Sequence, residues 1–299
     1  MKKILLIVNP VSGKCDSKKI LPNIILRLKN KYKVEVIESE FNGHIEKILY
    51  TYQIHNYHFC CIVGGDGSFH EAINGLMNRT DQVRIPLALL PAGSGNSLAR
   101  DLGILNLQTA LKKIISNKIF KLDIAQINYD NETVYSFNIV GWGMVATVGV
   151  KAEKFRWLGT SRYTLLSLFE VIFKQTNKAT IEYYDCNKKK YIINGNFMFA
   201  ALCNTIHTGK GMKIAPKAKL NDGLIDLVLI KDASRFKLLK LMSKLFAGNH
   251  IYDNSVEYSK ISKFKLNTDK KSVLNIDGEI KASAPFELKV IHNAIEIIN

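Results

Sequence analysis

Negative charge is scarce in this chain of 299 residues: 26 acidic side chains face 42 basic ones, a formal net charge of +16. A protein so short of acids is drawn to anions, and nucleotide, phospholipid surface and nucleic acid all qualify on charge alone. Cysteine is scarce in any useful arrangement. Cys15, Cys60, Cys61, Cys186 and Cys203 show neither C-x-x-C spacing nor a His/Cys cluster, which excludes a disulfide framework and a zinc site and fits a reducing cytosol. Long apolar runs are missing too. Even the greasy stretch Leu165 to Phe173 is cut by Glu170, well short of the roughly 18 residues a membrane span needs. The opening Lys2-Lys3 and Ile4 to Val8 resemble a signal peptide only until Asn9-Pro10 ends the run. There is no internal repeat and no low-complexity linker. A cytoplasmic protein, soluble or peripheral to a membrane, is the expectation.

What is present is enough apolar residue, 47% of the chain, to bury a substantial core, over a length about twice the usual prior for one domain. Short apolar runs recur early at Ile4 to Val8, Val34 to Ile37, Phe59 to Val63 and Pro86 to Leu90, with helical lengths between them at Ser17 to Lys29 and Ser68 to Met77. That alternation predicts βαβ units and a parallel sheet. After Asp123 the texture changes to strand-like runs around charged turns: Ile124 to Ile127, Val134 to Val140, Thr180 to Tyr184, Tyr191 to Ile193, Phe197 to Cys203, Ile225 to Ile230 and Phe286 to Ile291. Two helical candidates interrupt them, Ser161 to Lys174 and Ser234 to Phe246. The fold class is therefore α/β: an open α/β domain over residues 1–123, then a mostly β domain over 124–299.

Three turns stand out. The first strand runs into Asn9-Pro10-Val11-Ser12-Gly13-Lys14, the third into Gly64-Gly65-Asp66-Gly67, and the fourth into Pro91-Ala92-Gly93-Ser94-Gly95-Asn96. In an open parallel sheet the carboxyl ends of strands share one edge, so three such turns can converge on one ligand. Glycine lets backbone N–H groups come close to phosphate oxygens, and the following helix adds the positive end of its dipole. None matches the Walker pattern. The stretch Gly141-Trp142-Gly143-Met144-Val145-Ala146 satisfies G-x-G-x-x-A, but as a lone match inside the β region it is a weak sign of a dinucleotide site.

The run Gly64-Gly65-Asp66-Gly67-Ser68-Phe69-His70-Glu71-Ala72-Ile73-Asn74-Gly75-Leu76-Met77, followed by Leu90-Pro91-Ala92-Gly93-Ser94-Gly95-Asn96-Ser97-Leu98-Ala99, closely resembles the catalytic segments of sphingosine kinases. The wider diacylglycerol kinase family shares the looser pattern. The likeness continues through Trp142-Gly143, Glu153-Lys154, Leu158-Gly159 and Arg162-Tyr163-Thr164-Leu165 to Asp277-Gly278-Glu279, covering nearly the whole chain. The resemblance implies a nucleotide-binding α/β domain, a sandwich-like β domain for lipid, and ATP in the cleft. It implies nucleotide contacts from Asn9, Pro10, Ser12, Gly13, Ser39, Gly64, Gly65, Asp66, Gly67, Ser68, His70, Glu71, Gly93, Ser94, Gly95 and Asn96. Arg156, Arg162 and Asp277 join them on the phosphate side. Asp66 matches a general base and Glu279 a second essential carboxylate, while Lys219, Asp222 and Leu224 match a structural magnesium site. Phosphoryl transfer to a lipid hydroxyl needs such parts, because it rests on positioning, on cations at the γ-phosphate and on a carboxylate that takes the proton.

The expected cofactors are thus ATP and Mg2+, and the expected partners a lipid substrate and an anionic membrane surface, without nucleic acid; a homodimer is compatible with all of this. The segment Arg235 to Phe246 spaces Lys237, Lys240 and Lys244 like a basic amphipathic helix. Two departures bear on the acceptor. Thr147 and Gly149 stand where sphingosine kinases carry acids that hold the sphingoid amine, and Ser97 follows Asn96 where bacterial diacylglycerol kinases usually have Asp. An acid introduced at 149 is therefore expected to favour sphingosine. A kinase of the NAD kinase type and a non-catalytic lipid- or nucleotide-binding protein are the alternatives.

Overall fold

The computed structural model describes residues 1–93, 95–155, 161–208 and 211–299, the side chains of 14–16, 153–154 and 161–164 excepted. Two compact units result, residues 1–122 with 293–299 and residues 123–292. Among the described residues no helix is long and apolar enough to cross a membrane.

The first unit is built on β1 (Lys2–Val8), α1 (Asp16–Lys29), β2 (Tyr32–Glu38), α2 (His44–Thr51), β3 (Cys60–Gly64), α3 (Asp66–Met77), β4 (Leu87–Pro91), α4 (Ser97–Asp101) and α5 (Leu107–Ser116). Ile4 to Val8 are all fully buried, the signature of a parallel strand covered on both faces, which explains its unbroken apolar run. The strand order is β2–β1–β3–β4, every pair parallel. Ile297 and Ile298, at the end of the chain, add a further parallel pairing with Leu87 and Ala88. Helix α2, which the sequence does not announce, is clamped at both ends by charge. The Glu71 carboxylate accepts from Gly43 N at 3.0 Å and Ile45 N at 3.1 Å, and the Arg79 guanidinium donates to the carbonyls of Leu49 at 2.6 Å and Tyr52 at 2.9 Å. An acid at the amino end and a base at the carboxyl end both complement the helix dipole.

The second unit contains most of β5 (Ile119–Tyr129), then β6 (Glu132–Ser136), β7 (Ile139–Gly143), α6 (Met144–Lys154), α7 (Ser161–Phe173), β8 (Asn177–Asp185), β9 (Lys190–Cys203), the short pair β10 (His207–Thr208) and β11 (Met212–Lys213), β12 (Ile225–Lys231), α8 (Arg235–Leu245), β13 (Val256–Asn267), β14 (Ser272–Ile276), β15 (Glu279–Ala284) and most of β16 (Phe286–Ile298). Its strands pair antiparallel. The long strands β9 and β13 share two partners, β8 on one half of each and β12 on the other, while β7 also pairs with β9 and β16 with β13. Register shifts at Ile230/Lys231 and Ile261/Lys263 mark where the ladders change, as bulges do when a strand bends from one sheet into another. Between the layers Trp142, Tyr183, Phe197, Phe264 and Phe286 form one core, and the Trp142 indole donates to Ser272 Oγ at 2.7 Å.

The segment Val134 to Val140, expected as one strand, is two. Phe137, Asn138 and Ile139 turn their N–H groups to the carboxylate of Asp277 at 3.2, 3.0 and 3.0 Å, which breaks the run between Ser136, where β6 ends, and Ile139, where β7 begins. Tyr191 to Ile193 and Phe197 to Cys203, expected as two strands, are one, because the intervening Asn194-Gly195-Asn196 keeps pairing with Thr180, Ala179 and Lys178.

Candidate functional site

The register of the parallel sheet decides where the three turns begin. Val8 lies beside both Glu38 and Val63, and Gly64 beside Pro91, so the chain leaves all four strands at one level of one edge. The turns then pack on one another without side chains between them. A Cβ on Gly93 would lie 2.4 Å from Gly65 Cα, and one on Gly13 would lie 1.8 Å from the carbonyl oxygen of Ala92. Gly13 also has φ +58°, so both space and backbone require glycine there. Asn9 ties the first turn to the second, its Nδ2 donating to Ser68 Oγ at 2.9 Å, and braces its own turn by accepting from Val11 N at 3.2 Å. Ser12 N donates to the Asn9 carbonyl at 3.2 Å, and Pro10 stands between them at the turn. Asn96, itself left-handed at φ 54°, closes the third turn by accepting from Gly93 N at 3.2 Å and donating to Gly93 O at 2.7 Å.

Helix α3 starts two residues earlier than its apolar pattern suggests, with Gly65 as its N-cap, so Asp66 falls in its first turn. A carboxylate there is stabilised by the dipole. Both its oxygens accept from Ser97 N, at 2.9 and 3.1 Å, and a Cβ on Gly95 would meet Asp66 Oδ2 at 2.7 Å. Asp66 thus bridges the second turn to the third. A half-buried recess lined by Gly64, Gly65, Asp66, Pro91 and Asn96 lies beside it. Ser97, which the sequence marks only as a departure from the bacterial pattern, is the backbone donor that aims this carboxylate.

Gly67 follows Asp66 into α3, and Ser39, just past β2, is buried and donates its N–H to the Val8 carbonyl at 2.8 Å. His70 is completely buried within α3, and Glu71 directs both oxygens to the start of α2. Ser94, Arg156 and the side chain of Arg162 lie outside the described residues.

In the second unit Asp277 and Gly278 form the tip of the hairpin between β14 and β15, with φ +55° and +100° and Ile276 paired to Glu279, as a two-residue turn of this kind demands. The Asp277 carboxylate is buried and also accepts from Ser136 Oγ at 2.6 Å. Asp277 therefore holds the β6–β7 turn, and Glu279 stands partly exposed at the start of β15. In the loop Lys219 to Leu224, Asp222 Oδ1 accepts from Leu224 N at 3.2 Å, Asp222 Oδ2 from Lys260 Nζ at 2.7 Å, and Gly223 N donates to Asp123 Oδ2 at 2.6 Å.

Comparison with known proteins decides the family. Residues 3–127 match the diacylglycerol kinase catalytic domain, and residues 138–299, more than half the chain, match the YegS C-terminal NAD kinase beta sandwich-like domain. The chain belongs to the diacylglycerol kinase family of lipid kinases. It is 27% identical to sphingosine kinase 1 of Arabidopsis thaliana over 94% of this chain and 69% of that protein. It is also 27% identical to a diacylglycerol kinase of Bacillus subtilis, over all of this chain and 96% of the relative. A diacylglycerol kinase structure from Bacillus anthracis shares the fold with a TM-score of 0.80 at 22% identity, covering 99% of this chain and 96% of that one. An NAD kinase from Archaeoglobus fulgidus, in complex with ATP, is a more distant likeness at TM-score 0.52 and 13% identity, over 99% of this chain and 93% of that one.

Within this lipid kinase the departure at Gly149 has a physical cause. Gly149 lies in α6 against β14, and a Cβ there would come within 2.1 Å of Asn275 Nδ2. The space an acidic side chain would take is occupied by the Asn275 amide, so an acid introduced at 149 has to displace Asn275 before it can act on the acceptor. The G-x-G-x-x-A stretch is the β7-to-α6 turn. A Cβ on Gly143 would meet Met198 O at 2.5 Å, so that glycine serves packing. Helix α8 forms over the expected segment and turns part of its apolar side inward. Leu238 and Leu241 are buried and Lys237 bonds to Asp253 at 2.7 Å. Helix α7 also leaves apolar side chains outside: Leu165, Leu168, Phe169, Ile172 and Phe173 are exposed while Glu170 is buried in an ion pair with Lys151.

Proposed function

We propose that this lipid kinase transfers the γ-phosphate of ATP, with Mg2+, to the primary hydroxyl of a membrane lipid, a sphingoid base or a diacylglycerol. The observation that carries the reading is the meeting of three glycine turns around Asp66 at the carboxyl edge of the parallel sheet. Backbone N–H groups gathered there suit a polyphosphate, and a carboxylate beside them suits the proton of the attacking hydroxyl. The cation's contribution is charge neutralisation on the phosphates. Gly149 backed by Asn275 leaves no room for the acid that would hold an ammonium, which favours the uncharged acceptor.

The acceptor is met at a bilayer. On helix α7 Glu170 is buried while Leu165, Leu168, Phe169, Ile172 and Phe173 are exposed, and Arg235 of α8 donates to the Ile172 carbonyl at 2.7 Å, placing a basic helix next to it. With a net charge of +16 the occupant that fits is an anionic membrane, apolar under α7 and negative around it. Incubation with γ-labelled ATP and separate panels of sphingosine, diacylglycerol and NAD tests the reaction. Label in a lipid, stronger in diacylglycerol, is expected. Label in NAD alone, or in none, overturns the reading.

A further inference from the structure

The resemblance assigns Lys219, Asp222 and Leu224 to a structural magnesium ion, and the second unit contains an obstacle to it. Strands β12 and β13 pair Asp226 directly opposite Lys260, and that register delivers the Lys260 ammonium to Asp222 Oδ2 at 2.7 Å and Asp226 Oδ2 at 3.3 Å. Opposite charges facing each other across an antiparallel pair stabilise it. The other oxygens are also engaged, Asp222 Oδ1 by Leu224 N at 3.2 Å and Asp226 Oδ1 by the Tyr258 hydroxyl at 2.5 Å. Asp226 is only 1% exposed, so its charge must be answered from within the protein.

A divalent ion does not fit beside this arrangement. Magnesium keeps several waters and is held through one or two carboxylates, and the one carboxylate this loop offers is already shared between a backbone N–H and an ammonium. Bringing a doubly charged ion to Asp222 would also set it against Lys260.

We propose that the Lys260 ammonium does the work of the magnesium ion, anchoring the loop from Lys219 to Leu224 through Asp222 and Asp226. The loop's cation is then covalently part of the chain and cannot be chelated. Removing that charge leaves the carboxylates of Asp222 and Asp226 without the cation they share, a pair of acids that a divalent ion can then neutralise. Lys260→Met, which keeps length and discards charge, converts the loop into a metal-dependent one, and Lys260→Arg does not.

The test is metal content by mass spectrometry, and melting of the full chain in EDTA, in millimolar MgCl2 and in millimolar CaCl2, without nucleotide or lipid. The wild type and Lys260→Arg are expected to carry well under one ion per chain and to melt alike in all three. Lys260→Met is expected to melt lower in EDTA and to regain about 5 °C with either cation. About one tightly held magnesium in the wild type, or wild-type melting that drops in EDTA, overturns the proposal. So does a folded Lys260→Met indifferent to both ions. None of these readouts uses catalysis, so they stand apart from the kinase reading.

Discussion

Gly149 and Asn275 occupy one space: a Cβ on the glycine would lie 2.1 Å from the asparagine Nδ2 and 3.1 Å from its Cγ. Asn275 is in turn held by its Oδ1, which accepts from Gly278 N at 3.0 Å at the β14–β15 hairpin, so it cannot simply swing aside. Gly149→Ala is expected to destabilise the fold by about 1–3 kcal/mol through overpacking. In an Asn275→Ala background the same change should cost much less. A four-member cycle of melting curves measures the coupling; additive effects would show that the two side chains do not compete.

Asp66 is positioned by the backbone N–H of Ser97, from which both its oxygens accept. Asp66→Asn keeps an oxygen for that N–H and should melt within a few degrees of wild type, while lipid phosphorylation falls by about 10²-fold or more, because an amide cannot take the hydroxyl proton. Turnover near the wild-type rate would leave Asp66 as a bridge between turns and nothing else.

These relationships mark the limit of what the sequence makes legible. The parallel strands announce themselves because burial on both faces leaves unbroken apolar runs such as Ile4 to Val8. The glycine turns are legible because close backbone approach selects glycine at Gly13, Gly65 and Gly93. Strand β13 is not, since its Val256, Ile261, Phe264 and Leu266 are separated by lysines and polar residues that face outward. The partners of Asp277 lie some 140 residues earlier, and no local pattern encodes so long a contact. On α7 the apolar spacing is plain, but nothing local says that the charged side turns inward.

Acid sensitivity should have a specific contributor in the first unit. Glu35 accepts from Tyr52 Oη at 2.5 Å and Tyr57 Oη at 2.8 Å and pairs with Lys3 at 2.9 Å. The Tyr52 bond first, then Lys3 and Tyr57, hold its carboxyl down to about 2 from an ordinary 4.5. A folded-state value below the unfolded one stabilises above about pH 4.5, and the gain is lost as pH falls toward 2. Glu35→Gln should therefore be less stable than wild type near neutrality and show a shallower loss of melting temperature from pH 4.5 to 2. Parallel curves for the two proteins would mean that the cluster does not titrate with folding.

The apolar side of α7 gives the last expectation. Leu165, Leu168, Phe169, Ile172 and Phe173 recur at helical spacing, each at least 41% exposed, while Glu170 on the other side is 6% exposed and paired with Lys151. A helix serving only this fold would present the reverse arrangement, so its exposed rings contribute little to folding and much to whatever covers them. Phe169→Ser with Phe173→Ser should leave the melting temperature unchanged. Each ring withdrawn from the bilayer interface removes on the order of 1 kcal/mol, so the double variant should bind anionic vesicles about 10-fold or more weakly. High salt should weaken the wild type further, through screening of the basic residues around α7. Equal vesicle binding by both proteins would remove the membrane from this face. A wild-type dimer that the double variant converts to monomer would assign the face to a second copy of the chain.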